Sequence, residues 1–273
     1  MKFIDHFLFR IKIRSVVKKG GDLNSVTFKG EFFIHYAVMQ RLRNELKFLI
    51  EHKADLNRPA EHRAFSPLHF ASFGSDDVSE IAGMLIDAGA DIKSRSSQGE
   101  TALHLAASLN GNRHLLKKLI ASGAEINSTD YENETPLHKA AYWGNHFAAR
   151  HLMLHGADLN FKNVDGMTPL HLTVFFCQTH LMRLLLESGS DKNIKNNNKE
   201  IPLDIAENYI LPDENARGIM ISLLSEEKNP PCGEIITSVE NVSKIRTYSR
   251  FINDMPGSAG PYILRGEIYM EAG

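Results

Sequence analysis

The chain repeats itself every 33 to 35 residues, and this period limits its possible folds more than any other feature of the sequence. A histidine returns in a similar local setting at His35, His69, His104, His138 and His171. Each is followed by a stretch that ends in Gly-Ala-Asp-Leu-Asn or a variant of it. Such a period is typical of a small supersecondary unit that stacks on copies of itself. We therefore expect an array without a single globular core or an active-site cleft, whose function lies along its surface.

The fourth copy of the repeat shows how one unit folds. Thr135 can cap a helix, and Pro136 fits the first helical position, where a missing N–H is tolerated. Leucine and alanine then recur at helical spacing until Gly144, which predicts the end of the first helix. A second helix is predicted over 147–154, and Gly156 ends it because glycine readily adopts the left-handed conformation.

The recurring tetrapeptides carry a family resemblance. Residues 135–138 and 168–171 read Thr-Pro-Leu-His, residues 66–69 read Ser-Pro-Leu-His, and residues 101–104 read Thr-Ala-Leu-His. Together with the period, they resemble the ankyrin repeat, which consists of a turn, this tetrapeptide and two helices. The resemblance covers roughly residues 14–226 and implies an all-α solenoid of helix-turn-helix units with hairpin turns, with about six repeats and a C-terminal tail.

The period also divides the chain. Residues 1–27 are predicted to form a degenerate N-terminal half repeat or cap, with the stump of a longer array as the alternative. The array itself spans 28–226, and its last copy, at 197–226, carries Asp204 in place of the histidine. We interpret that copy as the C-terminal cap. Residues 227–273 are predicted to be a linker and a tail of unassigned class.

Composition limits the location and the partners of the protein. The chain carries 31 basic and 33 acidic residues, so its net charge provides no large field to attract nucleic acid or an anionic membrane. Cys177 and Cys232 do not form a disulfide framework, and no apolar run is long enough to predict a membrane span. The N-terminal residues lack the apolar core of a signal peptide. These features predict a cytoplasmic or nuclear monomer, although specialised secretion would leave no trace in the sequence.

No catalytic or metal-binding pattern is present in the sequence. The resemblance implies that each periodic histidine bonds the turn backbone of its own and the adjacent repeat. His146, His151 and His155 share helical spacings but have no cysteine or carboxylate cluster beside them, as a zinc site requires. Cys177 and His180 lack an oxyanion hole and a group to orient the base. We therefore predict a protein that is not an enzyme and that needs no cofactor or metal.

The resemblance implies that a partner binds on the concave face, formed by the hairpin tips and the exposed side of each first helix. The candidate contact residues are Tyr131, Glu132, Glu134, Tyr142, Trp143, Met167, Phe175, Phe176 and Leu109. Five of these are aromatic, and four of the five, Tyr142, Trp143, Phe175 and Phe176, occur as two adjacent pairs one repeat apart. Clustered aromatic residues are typical of interface hot spots. The alternative is that half of these rings tuck under the hairpins or fill space left by Cys177.

Three turn asparagines form a separate candidate site for modification. Asn57, Asn127 and Asn160 each follow a leucine by eight residues and an acidic residue by two. This resembles the pattern accepted by asparaginyl hydroxylases that modify ankyrin repeats. The alternative is that the pattern is the ordinary turn of the repeat.

The sequence therefore predicts a protein–protein interaction scaffold that binds an unidentified partner protein on its concave face, through rigid and pre-organised tips. One alternative is a substrate adaptor of a ubiquitin ligase, with the tail as the ligase-binding element. Another is a secreted effector or a fragment of a longer ankyrin-repeat toxin.

Overall fold

The computed structural model describes residues 2–25, 27–28, 31–61, 63–73, 79–108, 113–208 and 214–225. Within these ranges the chain forms thirteen helices and one two-stranded hairpin, which confirms the predicted all-α fold of helix-turn-helix repeats. None of the described helices is both long enough and apolar enough to cross a membrane. The predicted linker and tail at 227–273 lie outside the described residues, and the role of residues 1–27 as a cap stays a prediction.

Most helices come in pairs joined by a short turn, and each pair belongs to one copy of the repeat. In chain order the elements are α1 (Lys2–Lys18), β1 (Thr27–Phe28), β2 (Glu31–Phe32), α2 (Phe33–Met39), α3 (Arg43–Glu51), α4 (Pro67–Ser72), α5 (Ser79–Asp87), α6 (Ala102–Ser108), α7 (Arg113–Ala121), α8 (Pro136–Trp143), α9 (His146–Leu154), α10 (Pro169–Phe175), α11 (Thr179–Glu187), α12 (Pro202–Asn208) and α13 (Glu214–Ser225). The two strands pair antiparallel, with Thr27 opposite Phe32.

One compact unit comprises residues 1–106 and 111–125, and an aromatic cluster holds its N-terminal helix in place. The ring of Phe9 on α1 lies 5.2 Å from Phe28, 5.7 Å from Phe33 and 4.7 Å from Tyr36, measured between centroids. Each such ring pair contributes on the order of 1 kcal/mol beyond the burial of its surface. These contacts fix one face of α1 against the β1–β2 hairpin and α2.

The other compact unit comprises the described residues within 107–110 and 126–225 and has a core of leucine and alanine. On α8, Leu137 and Ala140 are fully buried, and on α9 Ala148 and Leu152 are fully buried. Alanine is small, so it lets the backbones of paired helices approach closely. The narrow apolar stripe predicted for this repeat is therefore its packing face.

The predicted helix signals of the fourth repeat are confirmed. Thr135 is the N-cap of α8, Pro136 occupies its first turn, and Gly144 ends it with a left-handed φ of 66°. The second helix, α9, begins one residue earlier than predicted because the side chain of Asn145 accepts a hydrogen bond from the N–H of Ala148 at 3.0 Å. Asparagine at this cap position satisfies a backbone donor that would otherwise be left open.

The turn after the second helix of each repeat requires a left-handed residue. Gly89, Gly123, Gly156 and Gly189 take this position with φ between 85° and 93°. In the first repeat the same position is occupied by Lys53, whose φ is 58°. A side chain in this conformation brings Cβ close to the following carbonyl oxygen, so Lys53 is under local strain that the glycines avoid.

Candidate interaction surface

The periodic histidines are structural, as the resemblance implied. In the fourth repeat, Nδ1 of His138 accepts a hydrogen bond from the backbone N–H of Thr135 at 3.1 Å, and Nε2 donates to the carbonyl of Met167 at 3.1 Å. His69 makes the equivalent bonds to Ser66 and to the carbonyl of Glu100. The imidazoles of His69, His138 and His171 thus join their own helix start to the hairpin of the next repeat, and the N–H that each donates fixes its tautomer. His35 bonds only the next hairpin, through the carbonyl of Phe65, and its Nδ1 has no partner among the described residues.

Burial keeps these imidazoles neutral. It lowers the pKa of His138, and it lowers the pKa of His35 and of His171 to about 4. Backbone hydrogen bonds oppose this shift without cancelling it. Across the described part of the chain, no group of three or more His, Cys, Asp or Glu side chains is placed to hold a metal ion.

The last repeat replaces its histidine with Asp204, which reproduces half of the histidine's role. One carboxylate oxygen of Asp204 accepts the backbone N–H of Ile201 at 2.8 Å, just as Nδ1 does in the second to fifth repeats. A carboxylate has no N–H to donate to a following carbonyl. Asp204 therefore stabilises its own helix start but cannot make the bond that the histidines donate to the next hairpin.

The four predicted aromatic residues form one connected cluster, which we call the aromatic patch: Tyr142, Trp143, Phe175 and Phe176. Tyr142 lies 4.9 Å from Trp143 and 4.1 Å from Phe176, and Phe175 lies 5.8 Å from Phe176, all between ring centroids. Each of the four residues is partly exposed. The predicted adjacency of the two pairs is confirmed, and none of the rings is fully tucked under a hairpin.

A buried ionic cluster that the sequence analysis missed lies in the same repeat. The ammonium group of Lys139 contacts a carboxylate oxygen of Asp130 at 2.7 Å and one of Glu134 at 2.8 Å, and all three side chains are buried. Lys139 follows the periodic histidine at a position where the neighbouring copies carry Leu105 and Leu172. A lysine at this apolar position, with two acidic residues shortly before it, was the available signal.

Glu134 was predicted to point outward, and this prediction is wrong. Its side chain is 5% exposed because its carboxylate pairs with Lys139 inside the repeat. The backbone N–H of Glu134 also donates to Asp130 Oδ1 at 2.8 Å, and the N–H of Glu132 donates to the same oxygen at 3.0 Å. Glu134 is therefore part of the support of the hairpin and not a contact residue.

Met167 was also predicted to point outward, and this too is wrong. Met167 is only 8% exposed, because hydrogen bonds to both its N–H and its carbonyl hold its backbone within the hairpin. The N–H of Met167 donates to Asn163 Oδ1 at 2.9 Å, and its carbonyl accepts bonds from the N–H of Asn163 and from His138. Its neighbours at the tips are the exposed residues, with Tyr131 at 68% and Val164 at 48%.

The hairpin tips of the second unit form a continuous surface. The N–H of Val164 donates to the carbonyl of Glu132 at 3.0 Å, and the N–H of Asn197 donates to the carbonyl of Asp165 at 3.0 Å. Glu132 is exposed, as predicted. Burial, followed by the charge of Glu134, raises the pKa of Asp165. The remaining predicted contact residue, Leu109, lies outside the described residues.

The predicted modification sites lie in a ladder of hydrogen bonds between turns. The side-chain oxygens of Asn57, Asn127 and Asn160 accept the backbone N–H of an acidic residue one repeat later, respectively Asp91 at 2.8 Å, Asp158 at 2.9 Å and Asp191 at 2.9 Å. Asn57 and Asn127 are exposed, and Asn160 is half-buried. The ladder gives these asparagines a structural role, and their hydroxylation stays a prediction.

One step of this ladder is chemically different. Lys93 stands where the other turns carry asparagine, and its ammonium group contacts the carboxylate of Glu125 at 2.7 Å. This contact lowers the pKa of Glu125 and raises that of Lys93. An ion pair thus replaces the neutral side-chain-to-backbone bond at this junction.

Comparison with known families agrees with this geometry. Residues 76–163 and 103–196 match the family model described as ankyrin repeats (3 copies). The matched region contains the three motif copies at 101–104, 135–138 and 168–171, together with the aromatic patch and the ionic cluster. No curated protein is significantly similar to the chain in sequence.

Proposed function

Since the chain is an ankyrin repeat protein, and ankyrin repeats are generic protein–protein interaction modules, we propose that its aromatic patch binds an apolar segment of a partner protein. The 4.1 Å contact between Tyr142 and Phe176 carries this proposal. It joins helices α8 and α10 and gathers all four aromatic side chains into one partly exposed surface.

The patch is assembled before a partner arrives. Its rings already pack against one another, so their side chains lose little further conformational freedom on binding. Asp130, a member of the ionic cluster in the same repeat, fixes the hairpin of that repeat by accepting hydrogen bonds from two backbone N–H groups. A pre-organised aromatic surface of this kind is what binding hot spots require.

The hairpin tips favour a particular flank on the partner. Exposed Glu132 and half-buried Asp165 place acidic side chains at neighbouring tips, beside the apolar side chains of Tyr131 and Val164. The charge of Glu134 contributes to the raised pKa of both Tyr142 and Asp165, after burial in each case, so patch and tips lie within electrostatic reach of one group. We therefore expect the partner segment to be apolar with a basic flank.

The experiment is affinity capture from the native cell with the wild-type chain, Trp143→Ala and Phe176→Ala. We expect each variant to lose partner recovery by about ten- to thirtyfold, since hot-spot truncations typically cost about 2 kcal/mol. The matched control is Leu154→Ala, because Leu154 is 71% exposed on α9 and is not part of the patch. Equal recovery with all four proteins would refute the proposal.

If the protein is instead a substrate adaptor of a ubiquitin ligase, a different result is expected. This alternative places ligase recruitment in residues 227–273, so a chain ending at residue 228 would keep the partner of the patch and lose any ligase that the tail recruits. Mass spectrometry of both captures separates the two roles.

A further inference from the structure

Helix α1 exposes a stripe of large apolar side chains. Ile4 is 61% exposed, Phe7 58%, Leu8 48% and Ile11 50%. Their spacing of three, four and seven residues places them on one face of the helix, which we call the α1 stripe. A terminal repeat that only caps an array presents a polar outer face, so the α1 stripe is not explained by capping.

The α1 stripe is not the face that attaches the helix to the protein. Phe9 and Ile13 are buried, at 0% and 1% exposure, and Phe9 makes the ring contacts with the first repeat. At 100° per residue, these two side chains lie on the side of the helix opposite the stripe. Helix α1 therefore has two apolar faces, and among the described residues only the face with Phe9 and Ile13 is packed against the rest of the fold.

The N-terminal segment that carries the stripe is locally rich in basic residues. Six basic residues and one acidic residue occur among the first 19, whereas the whole chain has a formal net charge of −2. Arg14, Lys18 and Lys19 are exposed, and Lys12 is exposed while bonding the carbonyl of Thr27 at 2.8 Å. The balanced net charge predicted no attraction to an anionic surface, but it concealed this local excess of positive charge.

The chemistry of the α1 stripe indicates what kind of partner binds to it. A second copy of the chain would bring a second row of positive charges against the first, which opposes self-association through α1. The four side chains of the stripe carry no hydrogen-bonding group, so they enter an apolar environment without leaving a polar group unpaired. An apolar face bordered by lysine and arginine is the pattern of a helix that lies in the surface of an anionic membrane.

We propose that helix α1 binds the surface of an anionic lipid bilayer. Ile4, Phe7, Leu8 and Ile11 enter the boundary between headgroups and acyl chains, while the neighbouring basic side chains pair with negatively charged headgroups. Phe9 and Ile13 stay packed on the first repeat, so the helix tethers the protein without changing its fold.

The test is co-sedimentation of the full chain with lipid vesicles. We expect binding to vesicles that contain phosphatidylserine at about one lipid in four, little binding to pure phosphatidylcholine, and weaker binding in high salt. No binding to the anionic vesicles, or equal binding to both kinds, would overturn the proposal.

Two variants and one control locate the binding face. The double variant Phe7→Gln with Ile11→Gln removes apolar area while keeping good helix formers, and Arg14→Gln with Lys18→Gln removes charge. We expect each to bind anionic vesicles at least about tenfold more weakly. Leu154→Gln removes an even more exposed apolar side chain elsewhere and should bind like the wild type. Circular dichroism and thermal unfolding verify that each variant is folded.

Unchanged binding by both double variants would overturn the proposal. So would a dimer in solution that forms without lipid and is abolished by the Phe7→Gln and Ile11→Gln pair, because the stripe would then belong to a second copy. Loss of partner capture by the patch variants has no bearing on this test, since the patch and the stripe share no residue.

Discussion

In the fourth repeat, three charged side chains are buried, whereas on helix α1 four large apolar side chains are exposed. Both regions depart from the usual partition of polar and apolar residues, but they do so differently. The buried charges of Asp130, Glu134 and Lys139 satisfy one another within a single repeat. The exposed apolar groups of α1 are only partly covered in the described structure.

This difference separates residues needed for folding from residues available for binding. A buried cation with two carboxylate partners contributes little net stability compared with an apolar residue, but removing one partner leaves uncompensated charge. Removing an exposed apolar side chain leaves the interior intact. Stability measurements should therefore respond to the first region, and binding measurements to the second.

Lys139→Ala should produce the largest change in stability. The substitution leaves Asp130 and Glu134 buried without their cation, so we expect the free energy of unfolding to fall by about 3–5 kcal/mol. Urea denaturation followed by circular dichroism measures this loss. Lys47→Ala, at an exposed lysine on α3, is the matched control and should change stability by no more than about 0.5 kcal/mol.

The same measurement on the α1 stripe tests the other half of the comparison. Phe7→Gln should lower stability by on the order of 1 kcal/mol or less, because most of the ring is already exposed. A loss for Phe7→Gln as large as that for Lys139→Ala would mean that the stripe is part of the folding core. The distinction between the two regions would then fail.

Acidification should destabilise the protein through its buried histidines. The folded-state pKa of His35 and of His171 is about 4, below the value of about 6.5 in an unfolded chain. The unfolded state therefore binds protons first as the pH falls. Each histidine contributes stability that is complete above about pH 6.5 and declines below it by about 1.4 kcal/mol per pH unit.

Urea midpoints measured between about pH 7 and about pH 5 test this expectation. A His171→Gln variant is the internal control. It should be less stable than the wild type at neutral pH but should lose less stability on acidification, because one titrating group is gone. A wild-type profile that stays flat over this range would show that the histidines are protonated in the folded state.

The smallest expected change in stability comes from backbone conformation alone, without a change in buried charge or in packing. Lys53→Gly should raise the free energy of unfolding by on the order of 1 kcal/mol, because glycine takes a positive φ without strain. Gly123→Ala should lower it by a similar amount, since a Cβ there meets no atom within 4 Å and only the φ of 86° opposes it. Thermal unfolding compares the two, with Lys53→Ala as the control for loss of the side chain. Changes of the same sign would contradict this account.

The features that could be predicted from the sequence are those that depend on a local pattern of residues. The period, the Thr135 and Pro136 helix start, the Gly144 helix end and the adjacency of Tyr142, Trp143, Phe175 and Phe176 follow from residue types at fixed spacing. The family resemblance added the role of the histidines. All of these features repeat from copy to copy, so each copy supports the interpretation of the others.

What the sequence analysis missed depends on partners within a single copy. The burial of Glu134 follows from Lys139, and the repeat pattern gives no reason to expect a lysine at that position. Met167 was predicted to lie outside because it directly precedes the Thr-Pro-Leu-His motif at 168–171, whereas its own backbone bonds hold it inside. On α1, apolar residues occur on both faces, so periodicity alone could not show which face packs on the first repeat.

The contact between Lys93 and Glu125 gives one turn of the hydrogen-bond ladder in the first unit a sensitivity that the asparagine turns lack. Mobile ions screen an exposed ion pair but hardly affect a neutral amide bonded to a peptide N–H. Rising ionic strength should therefore loosen the chain selectively at this turn, and amide hydrogen exchange at low and high salt would reveal it. Because Lys93 replaces the asparagine of the other turns, this one turn is held by a contact whose strength depends on the salt concentration.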